Sequence, residues 1–119
     1  MTQQEVLRKF LISFQEKAEQ WGIVYYQRKK NLQALLDLEI DPAFREHILR
    51  KEIRWRDYYR GPRPDALIKG GEYWEFGKDI KAVEVYVKIS LGRADGPAIC
   101  MSFHPAERKI IYPYQETKN

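Results

Sequence analysis

The chain has 119 residues, of which 44% are hydrophobic and 32% charged. That is enough for one domain with one modest core, and it excludes a disordered composition. Lys and Arg total 21 against 17 acids, a formal charge of +4 and a pI near 9.2, which permits a polyanionic partner without requiring one. Cys100 is the only cysteine, so an intramolecular disulfide and a thiolate-rich metal site are excluded.

The N-terminus, Met1 to Glu5, lacks the basic and apolar regions of a signal peptide. No apolar run approaches the ~20 residues of a membrane span. A cytoplasmic protein with no membrane partner is expected.

Thr2-Gln3-Gln4-Glu5 reads as a capping box that opens a first helix. Val6, Phe10, Phe14 and Ala18 recur every four residues, Leu7, Leu11 and Trp21 widen the stripe, and Gly22 suits the helix end. Ile23 to Tyr26 reads as a short strand. Asn31 is expected to cap a second helix carrying Leu32, Leu35 and Leu36. Asp41-Pro42 starts a third, with Phe44, Ile48 and Leu49 on its apolar side and His47 at the surface.

Residues 50–63 change character. Arg50, Lys51, Arg54, Arg56, Arg60 and Arg63 oppose only Glu52 and Asp57, and Trp55, Tyr58 and Tyr59 are interleaved. Guanidinium groups hold phosphates and aromatics stack on bases, so the stretch reads as an RNA-binding surface. The plainer reading is a solvated helix end with its aromatics turned into the core. Gly61-Pro62-Arg63-Pro64 is expected to break regular structure.

The remainder is strand-like. Glu72–Phe76, Glu84–Leu91 and Ala98–His104 form three runs, the last two joined by a loop over residues 92–97, with Ile110-Ile111-Tyr112 as an edge strand. Helices first and an antiparallel meander second predict an α+β domain over residues 1–114, its helices on one face of a small antiparallel sheet, with a polar tail at 115–119. Strand side chains alternate between faces. Val85, Val87, Ile89, Ile99, Met101, Phe103, Trp74 and Phe76 should then face the core. Glu75, Tyr86, Lys88, Ser102 and His104 should share the opposite face, with Cys100 beside them as a small packing residue. An acid, a phenol, an amine and an imidazole on one wet face suit proton transfer and phosphate binding.

Taken in order, Asp57-Tyr58-Tyr59-Arg60, Trp74-Glu75, Val85-Tyr86-Val87-Lys88-Ile89 and Met101-Ser102-Phe103-His104 resemble the sheet motifs of the MqsR toxins. Residues 22–36 resemble the segment before them. The ending from His104-Pro105-Ala106-Glu107 to Tyr112-Pro113-Tyr114 is similar to a divergent MqsR-like branch. The resemblance implies a RelE-like fold, endoribonuclease activity on mRNA and an inhibitory antitoxin; with one Cys and no Asp/Glu/His cluster at metal-ligand spacing, cleavage is expected to need no metal and no cofactor. It makes the ribosome a further candidate partner.

Carried over by position, the motif Lys falls on Arg60, keeping the charge, and the motif Tyr falls on Tyr86. The motif Gln is replaced by Glu75 and the motif Lys by His104. A Glu, Arg, His and Tyr set resembles the site of the YoeB branch of the same group. The expected reaction is attack of the ribose 2′-hydroxyl on the adjacent phosphorus. Glu75 would be the general base, His104 the acid, Arg60 the stabiliser of the phosphorane, and Tyr86 an orienting or stacking group. Glu75 and His104 are interchangeable in these roles on sequence grounds. Lys88, Arg56, Arg54, Lys51 and Tyr59 are the expected RNA contacts, and no metal site is expected. The alternative is a non-catalytic RNA-binding or protein-interaction domain. Catalysis requires Arg60, Glu75, Tyr86 and His104 to converge; binding alone does not.

Overall fold

Thr2 opens helix α1 (Gln3–Trp21), its hydroxyl accepting from the backbone N–H of Glu5 at 3.1 Å. Gly22 ends the helix at φ 82°, a conformation that suits glycine. Leu7, Phe10, Leu11, Phe14 and Ala18 bury the expected stripe, while Val6 and Trp21 lie exposed at its margins. The computed structural model describes residues 1–115, so of the expected polar tail only Gln115 falls among the described residues.

Strand β1 (Ile23–Tyr25) leads to helices α2 (Lys29–Asp37) and α3 (Pro42–His47). Asp41 caps α3 by accepting from Phe44 N at 2.7 Å, with Pro42 in the first turn. The chain then runs through a wide turn closed by Ile53 N donating to Ile48 O and a single tight turn, Trp55–Asp57. Strands β2 (Tyr58–Pro64), β3 (Glu72–Ile80), β4 (Val83–Ser90) and β5 (Ala98–Pro105) follow.

The fold is α+β around one five-stranded sheet in the order β1-β5-β4-β3-β2. The sheet is mixed rather than wholly antiparallel as expected. Strands β2 to β5 form an antiparallel meander, but β1 pairs parallel with β5. Helices and three strands intervene between β1 and β5, and that length of chain allows the return in the same direction. α1 covers one face, its Phe10 stacking on Trp74 at 5.2 Å and on Phe76 at 6.3 Å between centroids. Val85, Val87, Ile89 and Phe103 complete that core.

Four local expectations are corrected. α2 starts at Lys29, not after Asn31, and buries Asn31 and Ala34, while Leu32 and Leu36 are exposed. The Asn31 amide instead extends the edge of β5 beyond the short β1. It donates to Met101 O at 2.9 Å and to Tyr26 O at 3.1 Å, and it accepts from Phe103 N at 3.0 Å. A side-chain amide carries the same donor and acceptor as a peptide, so it can stand in for a strand neighbour.

Gly61 to Pro64 belong to β2, an irregular edge strand with two register shifts. Prolines are tolerated in a sheet at such an edge. Ile110 to Tyr112 form no strand and lie across the sheet face opposite α1.

The fourth correction concerns β5. Lys88 pairs with Ser102, but the next residue, Ile89, pairs with Cys100. Met101 is the extra residue of a bulge, and the alternation reverses there. Cys100 thus packs in the core, whereas Ile99 pairs with Ser90 and leaves the core face. Met101 is buried, though outside the core cluster. Past the bulge, Phe103 and His104 fall on the faces expected of them.

Candidate active site

Three adjacent strands place the site. Glu75 of β3 is paired with Lys88 of β4, and Lys88 with Ser102 of β5. One step along, Gly77 is paired with Tyr86, and Tyr86 with His104. Partners across a sheet project to the same side, so Glu75, Tyr86, Lys88, Ser102 and His104 share the face opposite α1. The irregular edge strand β2 then adds Arg60 directly across from Glu75.

Glu75 is the pivot. It is only 2% exposed although it lies on the polar face. Arg60 Nε donates to its Oε1 at 2.8 Å, and Arg63 Nε approaches the same oxygen at 3.8 Å. Tyr86 OH donates to Oε2 at 2.5 Å. Both carboxylate oxygens are therefore engaged, which offsets the cost of burying the charge. The hydrogen bond to Glu75 raises the Arg60 pKa above its ordinary value. Burial, and then the hydrogen bond to Glu75, raises the Tyr86 phenol well above its ordinary value, so Tyr86 is a neutral donor.

His104 leans against Tyr86, with ring centroids 5.4 Å apart. Its Nδ1 lies 2.9 Å from Pro105 O. A carbonyl can only accept, so Nδ1 carries the hydrogen and the neutral ring keeps its lone pair on Nε2. Arg60, Tyr86 and His104 line one open cleft of ≈ 360 Å³ together with Tyr59, Ala106, Glu107, Arg108 and Ile110. Arg60 also stacks on the Tyr59 ring, its Cζ 4.7 Å from the ring centroid.

The five residues expected to contact RNA separate. Tyr59 lines the cleft. Lys88 stands beside Glu75, its Nζ 4.1 Å over the Tyr73 ring. Partial burial and then the nearby Arg28 charge lower the Lys88 pKa. Lys51 and Arg54 do not join the cleft; with Ile12, Gln15, Glu16 and Glu19 of α1 they line a groove on the helical side of the molecule. Arg56 lies over Trp55, 4.7 Å from the ring centroid, with Arg8 also over that ring at 4.5 Å. Tyr58 is turned into the core against Trp74 and Phe76. Of the aromatics in the basic stretch, Tyr59 alone faces the cleft.

Cys100 is buried in the core, and burial pushes its thiol up to about 12. A thiol so protected is no nucleophile. His47 is exposed and pairs with Glu52 at 2.9 Å. Among the described residues, no three His, Cys, Asp or Glu side chains come together as a metal site. No helix there is long and apolar enough to cross a membrane.

Sequence reasoning missed the chain after β5. Ala106 N donates to Glu84 O at 2.8 Å, Glu107 pairs with Lys30, and Ile110 is buried. Ile110 N and Tyr112 OH donate to the two carboxylate oxygens of Glu84, each at 2.9 Å. A Cβ on Gly77 would lie 2.4 Å from the Tyr112 hydroxyl oxygen and 2.7 Å from Ile110 Cδ1, so glycine is the residue that leaves room for this strap. The available signal was Gly77, a glycine inside a strand, which often marks close approach of another segment. No family model, no curated protein and no solved structure matches this chain.

Proposed function

We propose that the chain is a metal-independent endoribonuclease of the mRNA-interferase kind, similar to the MqsR-like and wider RelE-like toxins. The observation that supports this reading is the focus of the site: Arg60, Tyr86 and His104 line one cleft above the buried Glu75. A wet sheet face without a catalytic task has no need to bury a carboxylate and use it to fix a guanidinium and a phenol.

The geometry supports His104 as the base, as in the exchanged assignment, but it leaves Glu75 in neither the base nor the acid role expected of it. Glu75 is enclosed and both its oxygens are taken, so it acts as a positioning residue for Arg60 and Tyr86. His104 Nε2 offers the free lone pair and takes the proton of the 2′-hydroxyl. The 2′-oxygen bonds to phosphorus and the bond to the 5′-oxygen breaks. Arg60 holds the charge of the pentacoordinate phosphorane and of the departing oxygen, which is protonated from water in the cleft. The products are a 2′,3′-cyclic phosphate and a 5′-hydroxyl. Tyr86 orients the phosphate, Tyr59 lines the cleft as a candidate stacking surface for a base, and Lys88, beside Glu75 on the same face, is a candidate backbone contact. An mRNA substrate, a protein antitoxin, a ribosomal context and a cytoplasmic setting are parts of the same proposal and rest on the family resemblance.

The test is incubation of the pure protein with a defined RNA and with its 2′-O-methylated counterpart, followed by end-group analysis. Cleavage of the first alone, with cyclic-phosphate and 5′-hydroxyl ends and undiminished by EDTA, is the expected result. Ends bearing a 5′-phosphate, or activity that EDTA abolishes and Mg²⁺ restores, would refute the mechanism. Salt-sensitive binding without cleavage would favour a non-catalytic RNA-binding domain.

A further inference from the structure

The charge in the cleft leaves a deficit. Arg60 is bound to the Glu75 carboxylate, and Arg63 leans on the same oxygen. Lys30 is paired with Glu107. Two guanidiniums against one carboxylate leave one net positive charge there; a phosphodiester carries one negative charge but a phosphorane approaches two, so this set does not neutralise the phosphorane alone. Arg108 is the one other cation lining the cleft, and it stands outside these ion pairs among the described residues.

Its position is built rather than incidental. The strap that carries it is fastened through Ile110 N and Tyr112 OH to Glu84 of β4, and Glu107 meets Lys30 of α2 in an exposed ion pair at its other end. Ile110 is buried, and the notch at Gly77 receives it and Tyr112. Beyond the notch, Tyr114 packs on Tyr58 and Trp55 with centroids 5.5 and 5.8 Å away. Arg108 is thus an exposed side chain on an anchored backbone, an arrangement that lets a long cation reach a ligand at low ordering cost.

We infer that Arg108 is a second phosphate-binding residue of this cleft, and that the strap from Ala106 to Tyr112 holds it opposite Arg60. The ligand class is the sugar-phosphate backbone of single-stranded RNA, with Arg108 engaging the scissile phosphate or the next one along the strand. This inference rests on the cleft being the RNA site, but it does not require that the site cleave.

The test separates the two. Binding of a 2′-O-methylated RNA, which cannot react by this route, is measured against salt for the unaltered protein, Arg108→Ala, Arg108→Lys and Lys109→Ala. Lys109 is exposed on the same strap but does not line the cleft, so its loss removes the same charge one residue away. Arg108→Ala is expected to weaken binding about 10-fold or more and to reduce the slope of log affinity against log salt by about 0.7. Arg108→Lys should restore part of the loss, and Lys109→Ala should change binding less than about twofold. Equal losses for Arg108→Ala and Lys109→Ala would show diffuse charge and overturn the inference, as would no loss for either. An Arg108-specific loss in a protein that never cleaves RNA would uphold this inference while refuting the catalytic reading.

Discussion

The two faces of the sheet hide their side chains by opposite means. On the α1 face, Phe10, Trp74, Phe76, Val87 and Phe103 are buried because apolar surface is removed from water. On the other face, Glu75 is as well buried as the aromatics, yet it is held by a guanidinium and a phenol. Burial of the first kind tolerates repacking and resists truncation. Burial of the second kind fixes direction: Arg60 and Tyr86 are aimed by the hydrogen bonds they donate to one enclosed carboxylate.

The comparison breaks most readily on the apolar side. Phe76→Ala should cost about 3–5 kcal/mol of stability, read by urea denaturation, because it leaves a cavity beneath α1. A loss under about 1 kcal/mol would mean that this face is not the core described.

Glu75→Gln tests the polar side. The amide keeps the shape but weakens the hold on Arg60 and Tyr86, so cleavage should fall by up to about 10²-fold through misplacement of those groups. The fold should survive, and the pH profile of the remaining activity should keep its shape. A loss as deep as that of His104→Ala, with one limb of the pH profile removed, would return the base role to Glu75.

A smaller effect distinguishes the faces by pH. Burial raises the phenols of Tyr25, Tyr86 and Tyr112 above their ordinary value. The unfolded chain releases these protons near pH ~10 while the folded chain retains them. Their contribution to stability is therefore complete below that pH and is lost as pH rises through the raised values. Tyr86→Phe should flatten the alkaline fall in stability relative to the unaltered protein; an unchanged fall would mean that the Tyr86 phenol is not buried against Glu75 in solution.

How much of this was legible follows from which rules were local. Period-two alternation was sufficient to bring Glu75, Tyr86 and His104 to one face, and the four-residue stripe was sufficient for α1. Alternation failed at Cys100 and Ile99, because one extra residue, Met101, reverses the parity of β5 and nothing in an apolar run announces a bulge. Asn31 was misread because its partners, Met101 and Phe103, are far away in sequence. A polar residue near a helix start has the same local look whether it caps the helix or edges a sheet. The strap escaped because Ile110 and Tyr112 answer to Gly77 and Glu84 across the fold rather than to their neighbours. The basic stretch divides between two surfaces for a related reason. Charge density alone does not distinguish Arg60, which faces the cleft, from Lys51 and Arg54, which flank α1.

That distinction yields the smallest effect. Lys51→Ala and Arg54→Ala should each change cleavage by less than about twofold at physiological salt, since neither lines the cleft with Arg60 and salt screens exposed charges over about 8 Å. Losses comparable to that of Arg60→Ala would extend the RNA site around the sheet edge onto the helical side.

The central claim is that His104 transfers the proton. Its most direct test is the single-turnover cleavage rate of His104→Ala at saturating RNA, with affinity for 2′-O-methylated RNA measured in parallel. The account predicts a rate lowered by ~10²–10⁴-fold and an affinity within about threefold of the unaltered protein. An unchanged rate, or a rate that falls only as far as the affinity does, would contradict it.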